Sequence, residues 1–278
     1  MARKPSYQEV LTEAVADLSA NGYDSAERLA YWERRLREAA ETSLLPLQEM
    51  ERLLREALAA SYKRLIEDGA IYKHHPGVSR FTVERLKPEL RAELNRRILA
   101  NAQLIKLNRR EAIEKTVQRF SGWGTSIPAG GSETVDRREE KARIGKALRS
   151  LPFEERRVLI DQSHKLVASL NETIARGGGA LGLVWRSHWR QPGYNYRIDH
   201  KERDGHFYML RGNWAQEQGL VKVGPDGYYE SITAVGQEPF CRCFATWIYN
   251  LRDVPEGCVT VKGKAALSEA RAKIAAMA

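Results

Sequence analysis

The sequence predicts an α+β protein, with a front half of long helices followed by a small α+β module of short antiparallel strands. Three observations carry this. Apolar residues recur at helical spacing through positions 1–120. A Gly-, Ser- and Pro-rich stretch interrupts the pattern at 121–136. From Ala180 onward, short β-branched and aromatic runs alternate with Asp-Gly and Gly turns. The expected divisions are therefore a helical region 1–120, a loop 121–136, an α+β module 137–262 and a carboxyl-terminal helix or tail 263–278.

The elements follow in order. Tyr7–Leu18 is polar and periodic. Asp24 with Glu27 has capping-box spacing, and Leu29, Trp32 and Leu36 then share one helix face. Pro46 interrupts by removing a donor and disfavouring helix at Leu45. A second helix resumes near Leu47 with Met50, Leu54, Leu58 and Leu65, and stops at Gly69. A turn over 72–77 precedes the longest pattern, Pro88–Phe120, where Pro88 suits a first helical turn. Arg137–Arg149 reads as a short basic helix, and Leu151–Ala175 as another ended by Gly177-Gly178-Gly179. The expected strands are Leu181–Trp185, Gly205–Leu210 and Phe244–Tyr249, with a last helix over Ala265–Met277.

Composition narrows the function classes. With 278 residues, 42% of them apolar, the chain can bury a core, which excludes wholesale disorder. Its longest apolar runs fall far short of the roughly 20 residues a bilayer helix needs, so no membrane partner is expected. The first residues lack the apolar core of a secretory leader, which argues against export by that route. Cys241, Cys243 and Cys258 are odd in number and read as reduced thiols. A charge of +9 makes a polyanion a candidate partner, although interspersed acids make a solvated mixed surface the simpler reading.

The candidate chemistry lies towards the carboxyl end. Cys241-Arg-Cys243, with Cys258 fifteen residues on and His200 upstream, could hold zinc through thiolates and an imidazole. One intervening residue is not the usual zinc-knuckle spacing, and thiols entering a small core are the favoured reading, with no metal. A nucleophilic Cys241 or Cys243 with His200 as base and Asp199 or Asp204 as orienter is conceivable. Arg197–Gly205 reads better as a structural knot in which Asp204-Gly205 turns tightly, and Glu172 could pair with Arg197. The Gly-rich loop lacks the Gly-Lys-Ser/Thr of a nucleotide cradle. Between Arg137 and Arg157 eight bases accompany four acids, and Arg137, Arg138, Lys141, Arg143, Lys146 and Arg149 are the candidate DNA contacts.

The order of these features carries a resemblance. A helical front ends in Asn101-Ala-Gln-Leu-Ile-Lys106, and a Trp–Gly–Pro–Gly-Gly loop follows. Then come a helix with Asn171-Glu172, a Trp185 strand, Arg197-x-x-His200, Asp204-Gly205 and Gly236-Gln-Glu-Pro-Phe-Cys-Arg-Cys243. This set resembles the phage head morphogenesis, or Mu F-like minor head, family of tailed bacteriophages, over roughly Leu151–Leu251. The segment after Trp185, Arg-Ser-His-Trp-Arg190, departs from the family's usual Thr and Asp.

The resemblance implies a minor structural protein of the virion, acting in head assembly or DNA packaging and having no enzymatic role or cofactor. Implied partners are the portal protein, the major capsid protein and packaged double-stranded DNA. The implied location is the head interior at the portal vertex, reached from the host cytoplasm during assembly. Glu172, Trp185, Arg197, His200, Asp204, Gly205, Pro239, Cys241, Arg242 and Cys243 carry over as fold-defining positions, while residues 1–120 would dock on the assembly. The rival expectations are a DNA-binding internal or ejected virion protein, and a metal- or thiol-dependent enzyme.

Overall fold

The computed structural model describes residues 5–277, and the α+β class holds. Helices α1 (Tyr7–Asn21), α2 (Ala26–Ser43), α3 (Leu47–Tyr62), α4 (Arg80–Gly124), α5 (Arg137–Ile144) and α6 (Lys146–Gly177) come first. The remainder is β1 (Gly182–Arg186), α7 (Ile198–Glu202), β2 (Phe207–Met209), α8 (Trp214–Glu217), β3 (Phe244–Ile248) and α9 (Val261–Met277). Two compact units form. One comprises the chain up to Arg55 with Leu99–Leu159, and the other Glu56–Ile98 with everything from Ile160. The division therefore runs through α3, α4 and α6 rather than at the 121–136 loop.

The first unit is helical. Leu11, Leu18, Leu36, Phe120 and Ile144 are fully buried in one apolar cluster. Ser6 and Glu9 cap α1 reciprocally, but α2 is capped by Ser25, not by the Asp24–Glu27 box the spacing suggests. Asp24 instead pairs with Arg28 at 3.0 Å. Buried Arg109 donates to Glu155 and to the Leu45 carbonyl, both at 2.6 Å, tying α4 and α6 to the α2–α3 link.

Two sequence expectations are corrected here. The Gly-rich segment is no free loop: α4 continues to Gly124, and Trp123 and Ile127 enter the core. Backbone bonds Gly130 N–H to Asn21 and Ser132 N–H to Ser19 then lay the segment against the end of α1. Gly131, at φ +85, sits so close that a Cβ would lie 2.4 Å from the Ala20 oxygen. The long helix begins at Arg80, where Ser79 accepts from Thr82 N–H, so Pro88 lies in its interior. Pro88 and Glu84 are both exposed, so water can satisfy the carbonyl that the ring leaves unpaired, while Val83 and Leu90 are buried.

In the second unit, Leu58, Tyr62 and Leu65 pack with Leu90, Leu166, Leu170 and Ile174, so apolar residues of α3 and α4 face each other as their spacing suggests. After Gly177 the chain forms an antiparallel sheet of order β2–β1–β3. Leu183 pairs with Tyr208 and Trp247, and Val184 with Phe207 and Thr246. The two-residue period sends Leu183, Trp185, Tyr208 and Trp247 into one apolar cluster, and Phe207, Met209 and Ile248 into another. The start of α9 packs on the second cluster through Ala266 and Leu267, whereas Ile274 and Met277 are exposed.

Candidate functional site

The signature residues converge beside the β1 face that carries Trp185. The single helical turn α7 buries His200, whose ring meets Trp185 edge-on at 5.3 Å. Just before β3, Cys241 and Cys243 are buried with Arg242 exposed between them, the alternation of an extended segment. His200 Nδ1 lies 3.6 Å from Cys241 Sγ and 3.5 Å from Cys243 Sγ. The three donor atoms all lie within 4.8 Å of one another.

The other side of the imidazole faces carboxylates. His200 Nε2 is 3.4 Å from Glu238 Oε2 and 3.8 Å from Asp199 Oδ2, and neither approach is aligned as a hydrogen bond. Arg197 holds Glu238 in place, with Nε 2.5 Å from the same Oε2 and Nη2 donating to the Pro239 carbonyl at 2.9 Å. Electrostatics divide the thiols. Cys241 is held well below the ordinary thiol range by hydrogen bonding from Cys243 and, against the cost of burial, from His200. Cys243 is pushed up, first by the neighbouring Cys241 thiol and then by burial.

The surrounding residues lock this arrangement. Asp204 accepts from Ser187 N–H and from the Trp189 indole, both at 2.9 Å. Burial opposes its charge, but these bonds win and keep the carboxyl below its usual range. Gly205, at φ +86, makes the turn that the Asp-Gly pair predicts. Arg242 N–H donates to Tyr194 Oη at 3.2 Å, and its guanidinium lies over the same ring.

Several expected pairings are replaced. Glu172 bonds Arg176 at 2.9 Å rather than Arg197, and approaches Tyr229 Oη at 3.5 Å. Cys258 belongs to the opposite apolar cluster, so it does not complete a set with Cys241 and Cys243. Asp204 does not orient His200, because its oxygens are taken by Ser187 and Trp189. Glu238, Tyr194 and Asp161 were not singled out by spacing. Arg203, four residues after Asp199 and bonded to it at 2.9 Å, and Asp161, four residues before Lys165 and 3.0 Å from it, did carry helical pair spacing.

A second buried polar group also escaped the sequence reading. His75 donates from Nε2 to Asn171 Oδ1 at 2.9 Å and accepts from the Tyr249 hydroxyl at Nδ1. Burial lowers its pKa to about 4. Among the candidate DNA contacts, Arg143 pairs with Glu140 at 2.6 Å, Lys141 approaches Thr12, and Arg149 donates to the Ala142 carbonyl. Arg137, Arg138 and Lys146 are exposed with no ion pair among the described residues.

No known family, curated protein or solved structure matches the chain. No helix among the described residues is long and apolar enough to cross a membrane.

Proposed function

We propose that this chain is a minor structural protein of a tailed-phage head, associated with the portal and the inner head and assisting assembly or packaging. The observation that carries the reading is the use of the signature residues. Trp185, Arg197, His200, Asp204, Pro239, Cys241 and Cys243 gather around one buried centre, where His200 meets both thiols and the Trp185 ring while Arg197 and Asp204 bond the neighbouring backbone. His200 is 2% exposed and the two thiols 1% and 7%, so no reacting atom is offered to a substrate. That pattern suits a shape-maintaining module rather than a catalytic site.

Docking would use what the cores leave uncovered. Most apolar positions of α3 and α4 are packed inside the chain, but Leu99, Leu104 and Leu107 stay exposed on one broad side of α4. The unpaired Arg137, Arg138 and Lys146 supply a weak, salt-sensitive attraction to packaged DNA. Density-gradient purification of particles from the phage or prophage that encodes the chain tests this reading. The protein is expected in procapsids or virions in few copies, and its absence from both would remove the proposal.

A further inference from the structure

The geometry points to a zinc centre at His200, Cys241 and Cys243. A tetrahedral zinc with Zn–S near 2.3 Å and Zn–N near 2.0–2.1 Å sets each nitrogen-to-sulfur edge at about 3.6 Å. The two edges in the fold are 3.5 and 3.6 Å, both made by the same ring nitrogen. The unusual Cys-x-Cys spacing is no obstacle, because α7 brings the nitrogen in from another part of the chain and the alternation of residues 241–243 turns both sulfurs the same way.

Three independent features around the donors fit this assignment. His200 is 98% buried by its 2% exposure, yet Nε2 has no hydrogen-bond partner and faces Glu238 Oε2, which is itself buried and unpartnered apart from Arg197. A ligating histidine commonly points its second nitrogen at such a carboxylate, which fixes the tautomer and leaves the other nitrogen free to bind metal. Close by, the Trp185 indole N–H and the Ser187 hydroxyl are buried without a hydrogen-bond partner, which leaves both free as donors to a metal-bound thiolate. Finally, two thiolates and one neutral imidazole suit zinc better than hard cations, and they neutralise its charge in a buried site. Binding displaces the thiol protons to solvent. The ion would clasp the segment before β3 to α7, with a structural role.

Elemental analysis and cobalt substitution of the full chain, purified under reducing conditions, test this. The expected result is one zinc per chain, removable by a chelator with a fall in thermal midpoint, and a thiolate-to-metal charge-transfer band when Co²⁺ replaces it. Cys243→Ser should abolish that band, whereas Cys258→Ser should leave metal content unchanged. Glu238→Gln keeps every ligand and should weaken zinc affinity roughly 10–100-fold, which decides the matter even if the cysteine variant fails to fold. A folded, reduced wild-type chain with neither zinc nor a cobalt band would overturn the assignment.

Discussion

Phe240 donates its backbone N–H to Asp161 Oδ1 at 2.5 Å while holding φ at +59, the one non-glycine residue in the left-handed region among those described. The bond anchors the turn between Glu238 and Cys241 to α6. Asp161 is 7% exposed and also meets Lys165 at 3.0 Å. A charge-assisted bond of this kind contributes about 1.5–3 kcal/mol, and its loss would free a strained backbone to relax. Asp161→Ala should therefore destabilise the second unit by about 2–3 kcal/mol, measured by urea unfolding. An unchanged midpoint would show that the turn does not depend on it.

Trp185 is wholly buried against His200 in the cluster that also holds Trp247. Trp185→Ala should cost about 3–5 kcal/mol and should loosen the cluster that holds both thiols. Thiol-reagent kinetics would register this as faster modification of Cys241 and Cys243 in the variant. Equal rates would mean that the tryptophan does not shield them.

Acid should weaken the second unit through His75. Its folded pKa, about 4, lies below the ordinary 6.5, so the unfolded chain binds more protons between those values. Stability is then fully present above about pH 6.5, falls as the pH drops toward 4, and levels off below. The loss is on the order of 3 kcal/mol at most. His164, also held down by burial, acts in the same direction. The reading therefore comes from the difference between wild type and His75→Gln, whose midpoint should vary less over this range.

Two glycines only nine positions apart should respond with opposite signs. Gly131→Ala drives a Cβ against the α1 backbone at a positive φ and should destabilise the first unit by more than about 1 kcal/mol. Gly122→Ala meets nothing within 4 Å on the exposed side of α4 and should stabilise by about 0.5–1 kcal/mol. If both changes were neutral, the loop would not be docked on α1.

Much of the fold was legible because periodicity records burial. Leu54, Leu58, Leu90 and Ile98 mark their helices, and the alternation around Leu183 and Trp185 marks a sheet with two covered faces. Glycines misled where they permit close packing as well as loops, since Trp123 and Ile127 draw the 121–132 segment into the core. Pro88 misled because propensity is local, whereas the burial of Val83 and Leu90 on either side sustains the helix through it. At the site, Cys241, Cys243 and His200 stood out by residue type, but their distances did not. Glu238 looked like an ordinary surface acid until the turn at Phe240 carried it to the far side of the imidazole. Likewise, His75 could not be joined to Asn171 and Tyr249 from sequence, because nearly a hundred or more residues separate them.

The central claim is that this chain belongs to the head of a phage particle and works there by its shape. Asymmetric electron-microscopy reconstruction of intact particles is the most direct measurement. The account predicts a few copies at the portal vertex, inside the head, with the exposed α4 leucines against a neighbouring subunit. Particles complete in every other component but lacking this density, from a host that makes the protein abundantly, would contradict it.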